Sequence, residues 1–433
     1  MTAPKRPPTK PSHRLLRTPA FRAFLLANAL ERLASSALTV LLGFQVYTLT
    51  HDPLMLGWLG LAEAAPAIGL VLLGGHVADR RPRRRIVLLG TAGLALLAAS
   101  LAAASGSGQA LPVLFAAAVL TGAINAFAEP ALSGLEAHAV PLSALVPGLA
   151  LLATTGRLAT MLGPLAGGLA WATLGPAATY ATLTLLFAAS AAVLWAGVPE
   201  APIPDGPAHA NAWRSIREGV AFVFRSEVLL GSMALDLFAV FFGGATALLP
   251  IFATDILHVG PAGFGLLRSA GAAGSLAAAL LAARFLPQRR AGWALHGVIA
   301  GFGLSMIVFG LSRSLPLSLA ALFTAGLCDG TSVVIRRAIL RLAAPDAMRG
   351  RVAAVKSVFV GSSNELGAFE SGVAASVFGA SAAVWGGGLV TLGVVAVVAW
   401  RAPMLLRLNL EAVRHAAPNQ EVRSSTIALR SDL

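Results

Sequence analysis

Apolar runs of about twenty residues recur along the whole chain, and they restrict the fold more than any other feature of the sequence. A helix of about 20 apolar residues crosses the ~30 Å hydrocarbon core of a bilayer. The 433 residues are 57% hydrophobic and only 12% charged, which is too little polar surface for a soluble protein of this size. The sequence therefore predicts an all-α membrane protein.

Twelve transmembrane helices are predicted, with turn formers such as His51–Pro53 and Gly175–Pro176 between them. The predicted helices are residues 20–48, 54–79, 84–104, 109–131, 143–172, 176–197, 226–253, 261–286, 291–312, 315–340, 349–378 and 381–402. The long connection after predicted helix 6 divides the chain. The predicted segments are an N-terminal tail (1–19), a six-helix half (20–198), a linker (199–225), a second six-helix half (226–403) and a C-terminal tail (404–433).

An internal repeat supports two pseudo-symmetric halves. Ungapped comparison at an offset of 205 aligns acids with acids and one basic turn with another. The aligned pairs include Glu31 with Asp236, Pro82 with Pro287, Arg84 with Arg289 and, at an offset of 204, Gly122 with Gly326, Asn125 with Asp329 and Gly163 with Gly367. Paired six-helix halves are an architecture of secondary transporters.

The positive charge of the chain fits a membrane topology better than a nucleic-acid partner. The net charge is +13, but the basic residues lie between apolar runs and are not interleaved with stacking aromatic residues. Of the 32 Lys and Arg residues, 28 lie in the two tails and in alternate connections, and only Arg313 lies in a loop on the opposite side. Cytoplasmic loops are enriched in Lys and Arg, so both termini are predicted to be cytoplasmic.

No cofactor, metal or catalytic activity is predicted. Cys328 is the single cysteine, which excludes an intrachain disulfide and a cysteine metal cluster. The three lysines, Lys5, Lys10 and Lys356, lie in no nucleotide-binding phosphate loop. The eight histidines show no ligand spacing, and no nucleophile–base cluster is evident.

Charged residues inside the predicted helices are the candidate functional residues. Each costs ~2.5–3.5 kcal/mol to insert, so such residues usually face a cavity or a partner. Predicted helices 3, 6, 9 and 12 contain none in their interiors and are expected to face lipid, whereas the other eight can line a cavity. The candidates for the cavity or for proton coupling are Glu31, Arg32, Glu63, Arg157, Asp236, Arg268, Asp329, Glu365 and Glu370.

The repeat aligns Glu31 with Asp236. The sequence therefore gives both acids the same two possible roles, as cavity residues or as structural partners of another charge. A carboxyl group that alternates between wet and dry surroundings can bind and release a proton, so protons are the expected coupling ion. Arg157 and Arg268 are expected to neutralise buried acids or to hold an anionic substrate. Glu129, beside Pro130, is interpreted as an interface residue at the end of predicted helix 4.

The basic turn after predicted helix 2 resembles a motif of the major facilitator superfamily. The residues that carry the resemblance are Gly75, Val77, Ala78, Asp79, Arg80, Arg83 and Arg84, with Pro82 where the family usually has glycine. The resemblance implies a gating role for Gly75, Asp79, Arg80, Arg83 and Arg84 (the gating turn), whose acid and arginines hold the two halves together in one state of the cycle.

Predicted helix 5 contains Gly163, Pro164, Gly167 and Gly168, which resemble the helix-5 motif of antiporters in the same superfamily. This resemblance implies export. Predicted helix 4 lacks the arginine that many proton-coupled drug exporters have, and Arg157 is a candidate substitute. Three stretches of the second half, 243–250, 346–352 and 363–372, resemble the enterobactin exporter group.

We therefore expect a secondary transporter, acting as a monomer in the cell membrane. Its expected function is proton-coupled export of a small, amphipathic, siderophore-like molecule. The alternatives are a broad drug or toxic-compound efflux pump of the same fold, an importer, and a membrane protein that does not transport.

Overall fold

The fold is known from a computed structural model that describes residues 15, 18–105, 110–140, 144–200, 212–242, 245–285, 289–343, 348, 352, 364 and 366–411. All regular secondary structure in these ranges is helical. The prediction of an all-α membrane protein is confirmed.

The helices of the described residues are numbered in chain order. The first half contains α1 (Pro19–Thr50), α2 (Pro53–Arg80), α3 (Arg83–Ala104), α4 (Ala110–Ala139) and the segment Leu145–Gly197, which Gly175 divides into α5 (145–174) and α6 (176–197). The rest are α7 (Ala212–Arg225), α8 (Glu227–Phe242), α9 (Ala245–Ile251) with a π-helical turn (Phe252–Ile256), α10 (Gly260–Phe285), α11 (Ala291–Leu311), α12 (Leu315–Ala343), α13 (Leu366–Phe378), α14 (Ala380–Arg401) and α15 (Pro403–Leu406).

Ten helical segments of the described residues are long and apolar enough to cross a membrane. One of them, Leu145–Gly197, contains both predicted helices 5 and 6. Predicted helix 11 is described from Leu366 to Phe378 and at a few positions before it. In a bilayer these helices satisfy their own backbone hydrogen bonds, which no water could do there.

Two connections form where the sequence predicts turns. His51 ends α1 in the left-handed conformation, with φ of 51°, and the Asp52 side chain caps α2 by accepting a hydrogen bond from the Leu54 amide at 2.9 Å. Pro53 follows at the first position of α2, where its missing N–H costs nothing. Gly175 has φ of 77°, a conformation that glycine adopts without strain, and it separates α5 from α6.

Several helix ends differ from the prediction. Helix α4 continues through Pro130 to Ala139, eight residues past the predicted end at 131, because a proline inside a long membrane helix removes one hydrogen bond without ending it. Predicted helix 7 is a series, α8, α9 and the π-helical turn. The start of the predicted C-terminal tail forms α15, and Leu405 and Leu410 are buried.

The chain divides into two compact units. The first consists of the described residues of 1–208 together with 249–269, and the second of those of 209–248 and 270–433. The segment 249–269 therefore packs with helices that precede it by about a hundred residues or more. Within the first unit, the Ser269 hydroxyl donates to the Met161 carbonyl at 2.7 Å. The ring of Phe264 stacks on Phe44, with centroids 5.1 Å apart.

The two units share a close glycine contact at positions that the repeat aligns, in agreement with the predicted pseudo-symmetric halves. In the first, Gly122 of α4 packs directly on the backbone of α2 at Glu63. In the second, Gly326 of α12 packs directly on the backbone of α10 at Gly271. Gly122 and Gly326 are aligned by the repeat, and a Cβ atom at either would overlap a carbonyl group. Small residues let membrane helices approach this closely.

Replacing Gly122 with Ala should destabilise the protein by about 1–3 kcal/mol, because the new methyl group forces α2 and α4 apart. The matched control is Gly69→Ala in α2, where a Cβ atom would meet nothing within 4 Å. We expect the control to keep or slightly raise stability, since Ala favours a helix over Gly. Thermal unfolding in detergent measures both, and equal melting temperatures for the two variants would contradict the contact.

Candidate functional site

A pocket of about 510 Å³ lies inside the first unit, between α1, α3, α4 and α6. Phe24, Leu94 and Leu194 form part of its apolar wall. No described residue that lines it is Lys, Arg or His. The polar side chains that line it are those of Asn28, Glu31, Thr91, Asn125, Glu129 and Ser190. We refer to it as the first pocket.

Glu31 has polar neighbours in the first pocket but no salt bridge among the described residues. The Ser35 hydroxyl donates to Glu31 Oε1 at 2.7 Å. The neighbouring Arg32 donates from Nε to Asn28 Oδ1 at 3.1 Å and lies 3.9 Å from a carboxylate oxygen of Glu136. Glu136 follows the predicted end of helix 4 at residue 131, so the sequence did not reveal it as a partner.

A second pocket, of about 260 Å³, lies inside the second unit between α8, α11 and α12. Asp236 and Asp329 both line it, as does Ser332. The repeat relates this second pocket to the first. The aligned lining residues are Glu31 with Asp236, Leu94 with Ile299, Asn125 with Asp329 and Ala128 with Ser332.

Asp236 differs from Glu31 in having a cation against it. The guanidinium group of Arg336 in α12 forms an ion pair with the Asp236 carboxylate, and both residues are buried. Arg336 also donates to the Ser332 hydroxyl at 3.1 Å. In the sequence, Arg336 belongs to the group of basic residues around the connection between predicted helices 10 and 11. Its position within the last residues of predicted helix 10 could have identified it as a charge inside the membrane.

Position 132 distinguishes the two pockets. At the offset of 204, Leu132 of α4 is the repeat partner of Arg336 of α12, and Leu132 lines the first pocket. An arginine therefore neutralises the acid in one unit, whereas a leucine stands at the equivalent place in the other. Glu31 and Asp236, which are equivalent in the sequence, have different electrostatic surroundings.

The remaining predicted residues are distributed among several helices. Glu63, Arg157 and Arg268 lie in α2, α5 and α10, and each has an interaction partner. Glu370 lies half-buried in α13, and Glu365 is outside the described residues. Within the described residues, no three His, Cys, Asp or Glu side chains are grouped as metal ligands.

The gating turn makes its observed contacts within the first unit. Asp79 lies 3.7 Å from Arg83, whose Nε donates to the Ala78 carbonyl at 3.4 Å. Arg84 donates to the Trp195 carbonyl near the end of α6. A Cβ atom at Gly75 would meet nothing within 4 Å, and Arg80 is exposed.

The aligned turn of the second unit is attached in a similar way. Arg289, the repeat partner of Arg84, forms a 2.8 Å hydrogen-bonded ion pair with Glu411, which follows α15. This hydrogen bond raises the pKa of Arg289. Each unit thus uses one turn arginine to hold the segment at or beyond the end of its last long helix.

The helix-5 motif packs α5 closely between two neighbours. Gly163 and Gly167 lie against α1, where Cβ atoms would come within 2.6 Å of the Leu33 carbonyl oxygen and 3.1 Å of the Ala37 Cβ. Gly168 lies against α10, and a Cβ atom at that position would be 3.1 Å from Gly265. The Pro164 carbonyl group also faces α10.

A further contact joins α1 to the π-helical turn inside the first unit. The buried Tyr47 hydroxyl donates to the Asp255 carboxylate. Gln45, two residues earlier, accepts a 2.7 Å hydrogen bond from the Tyr180 hydroxyl. Asp255 was not among the predicted residues, because predicted helix 7 ends at residue 253.

Replacing Asp236 with Asn should destabilise the protein by about 3–5 kcal/mol, because Arg336 then stays buried without a counter-charge. The double variant Asp236→Asn/Arg336→Met should recover most of this loss. Glu31→Gln is the matched control in the first unit and should cost far less, since Arg32 keeps Glu136 as its partner. Denaturant unfolding in detergent measures all three, and equal losses for Asp236→Asn and Glu31→Gln would refute the assigned pairing.

Comparisons with known proteins agree with this architecture. The sequence profile of the Major Facilitator Superfamily matches residues 24–368. The chain is 27% identical over 423 residues to a protein named enterobactin exporter EntS from Escherichia coli O9:H4, covering 93% of this chain and 94% of that protein. A protein of the same name from Shigella flexneri is 27% identical over 352 residues, covering 78% and 81% of the two chains.

Solved structures show the same fold at low sequence identity. A mutant form of the nucleoside transporter NupG superposes with a TM-score of 0.72 at 13% identity, covering 89% of this chain and 99% of that one. A bacterial homologue of the human lysosomal transporter Spinster, in an inward-facing and unoccupied conformation, gives a TM-score of 0.66 at 15% identity, covering 94% and 98%. The chain belongs to the Major Facilitator Superfamily and is a multi-pass membrane protein of the secondary-transporter class.

Proposed function

We propose that this transporter exports a small, amphipathic, siderophore-like molecule across the cell membrane by alternating access, in exchange for protons. Similarity to proteins named enterobactin exporter EntS over 93% of the chain carries the substrate class. The antiporter-like sequence from Gly163 to Gly168 supports export. The distribution of Lys and Arg supports cytoplasmic termini, and the presence of both halves in one chain supports a monomer.

Glu31 is the acid that we assign to proton exchange. It lines a pocket whose described residues include no basic side chain, and it makes no salt bridge within the described residues. A proton can neutralise its charge when the surroundings become dry. Asp236 is a weaker candidate because Arg336 already balances it, and we assign it a structural role.

Asp329 and Glu370 are second candidates for proton exchange. Asp329 lines the second pocket beside the Asp236–Arg336 pair, which is neutral overall. Glu370 is half-buried in α13. Neither residue makes a salt bridge within the part of the chain that the structure describes.

A broad efflux pump is the main alternative, and one observation favours it. Two carboxyl groups, Glu31 and Glu129, line a largely apolar pocket, which suits cationic compounds better than an anionic siderophore. An importer of the same fold is the second alternative. The compound that is transported distinguishes a siderophore exporter from a broad efflux pump, and the direction of transport distinguishes an exporter from an importer.

In proteoliposomes with an imposed pH gradient, a catecholate siderophore should move against its concentration gradient as protons move the opposite way. Oriented vesicles, right-side-out and inverted, report the direction. Export predicts accumulation only in inverted vesicles. Movement of cationic dyes without the siderophore would refute the substrate class, and accumulation in right-side-out vesicles would indicate an importer.

Glu31→Gln should abolish the response of transport to the pH gradient, because the side chain can no longer exchange a proton. Substrate exchange at equal pH on both sides should continue, since that reaction needs no net proton movement. Glu200→Gln is the control, because Glu200 is exposed and lies after α6. Gradient-driven transport that survives in Glu31→Gln would remove this residue from the coupling mechanism.

A further inference from the structure

The two pockets form an internal comparison between an acid in a salt bridge, Asp236, and an acid with no salt bridge within the described residues, Glu31. In the second unit, the guanidinium group of Arg336 lies against Asp236. In the first unit the aligned acid is Glu31, and the residue aligned with Arg336 is Leu132. The repeat keeps the carboxylate and replaces the cation with an apolar side chain. The first pocket is also the larger, at about 510 Å³ against about 260 Å³.

Asn28 provides independent evidence that the first pocket takes a ligand. Its side chain is buried, with 4% of its surface exposed, and lines the pocket. Its Oδ1 accepts a hydrogen bond from Arg32, and a guanidinium group only donates, so the orientation of the amide is fixed. The Nδ2 group is left without a hydrogen-bond partner in the structure. A buried donor of this kind costs free energy until an acceptor reaches it.

The remaining lining is typical of a small-molecule site. Small-molecule pockets are mostly apolar and contain a few polar groups that orient the ligand. Here Phe24, Leu94 and Leu194 contribute apolar surface. Glu129, which is exposed, places a second carboxyl group on the lining.

We infer that the first pocket binds an organic cation, a guanidinium, amidinium or ammonium group on a compact apolar body. Its cationic group pairs with Glu31 and Glu129, in the place that Arg336 occupies in the second unit. Its apolar body lies against the aliphatic and aromatic wall. An acceptor oxygen on the ligand, or on a water bound with it, takes the free Asn28 donor.

This site goes beyond the proposed export of a siderophore-like molecule. It shares Glu31 with the proposed proton exchange, but binding itself requires neither transport nor a gradient. A binding measurement on purified protein therefore succeeds or fails independently of the transport assays.

Benzamidine and benzamide test the inference, because they have nearly the same shape and only benzamidine is a cation. Isothermal titration calorimetry on the full-length protein in detergent should show benzamidine binding at least about tenfold more tightly than benzamide, a difference of ~1.4 kcal/mol. Leu132→Arg supplies the first unit with the cation of the second and should reduce benzamidine affinity at least about tenfold. Glu200→Gln, which removes a carboxylate from an exposed residue outside the pocket, is the control and should bind like the wild type.

Glu31→Gln is a second test in case Leu132→Arg does not fold. It removes the charge of the acid without inserting a larger side chain. It should also reduce benzamidine affinity about tenfold or more. Equal affinities for benzamidine and benzamide would overturn the inference. So would benzamidine binding that Glu31→Gln leaves unchanged.

Discussion

A charge inside a bilayer must be neutralised, hydrated or bound, and the arrangement of this chain depends on how each buried charge meets that requirement. The first unit pairs Arg32 with Glu136 and leaves Glu31 in a largely apolar pocket. The second pairs Asp236 with Arg336 inside its core. Both units join their first and fourth long helices with an ion pair, α1 to α4 and α8 to α12. The positions of acid and base are reversed: in the first unit the base lies on the first of these helices, α1, and in the second unit it lies on the fourth, α12.

This reversal explains how a duplicated fold can divide its roles. An acid that is permanently paired stabilises helix packing, whereas an unpaired acid can exchange a proton or a ligand. Close glycine contacts fix the backbones at equivalent positions, Gly122 on α2 and Gly326 on α10, so the difference between the units lies in the side chains around the pockets. We propose that the residue at position 132 or 336 sets this difference, because Arg336 pairs with Asp236 whereas Leu132 cannot pair with Glu31.

The sequence predicts the fold well because its strongest signals are physical requirements of the bilayer. Long apolar runs, turn formers such as Gly175 and the repeat at 205 residues are all readable in one sequence. The pairing of buried charges cannot be read from the sequence in this way. Arg336 reads as one of several basic residues at a membrane boundary, and Glu136 lies past a proline that suggests a helix end. Asp255 falls in a π-helical turn that no periodicity indicates. Each of these depends on contacts between distant segments, which apolar spacing does not encode.

We therefore propose Glu31 as the acid that exchanges protons and Asp236 as a structural acid. Infrared difference spectroscopy on the purified transporter, comparing acidic with alkaline buffer, observes carboxyl groups as they gain and lose protons. We expect a titrating carboxyl signal that disappears in Glu31→Gln and persists in the double variant Asp236→Asn/Arg336→Met. A signal that persists in Glu31→Gln and disappears in the double variant would contradict this division of roles.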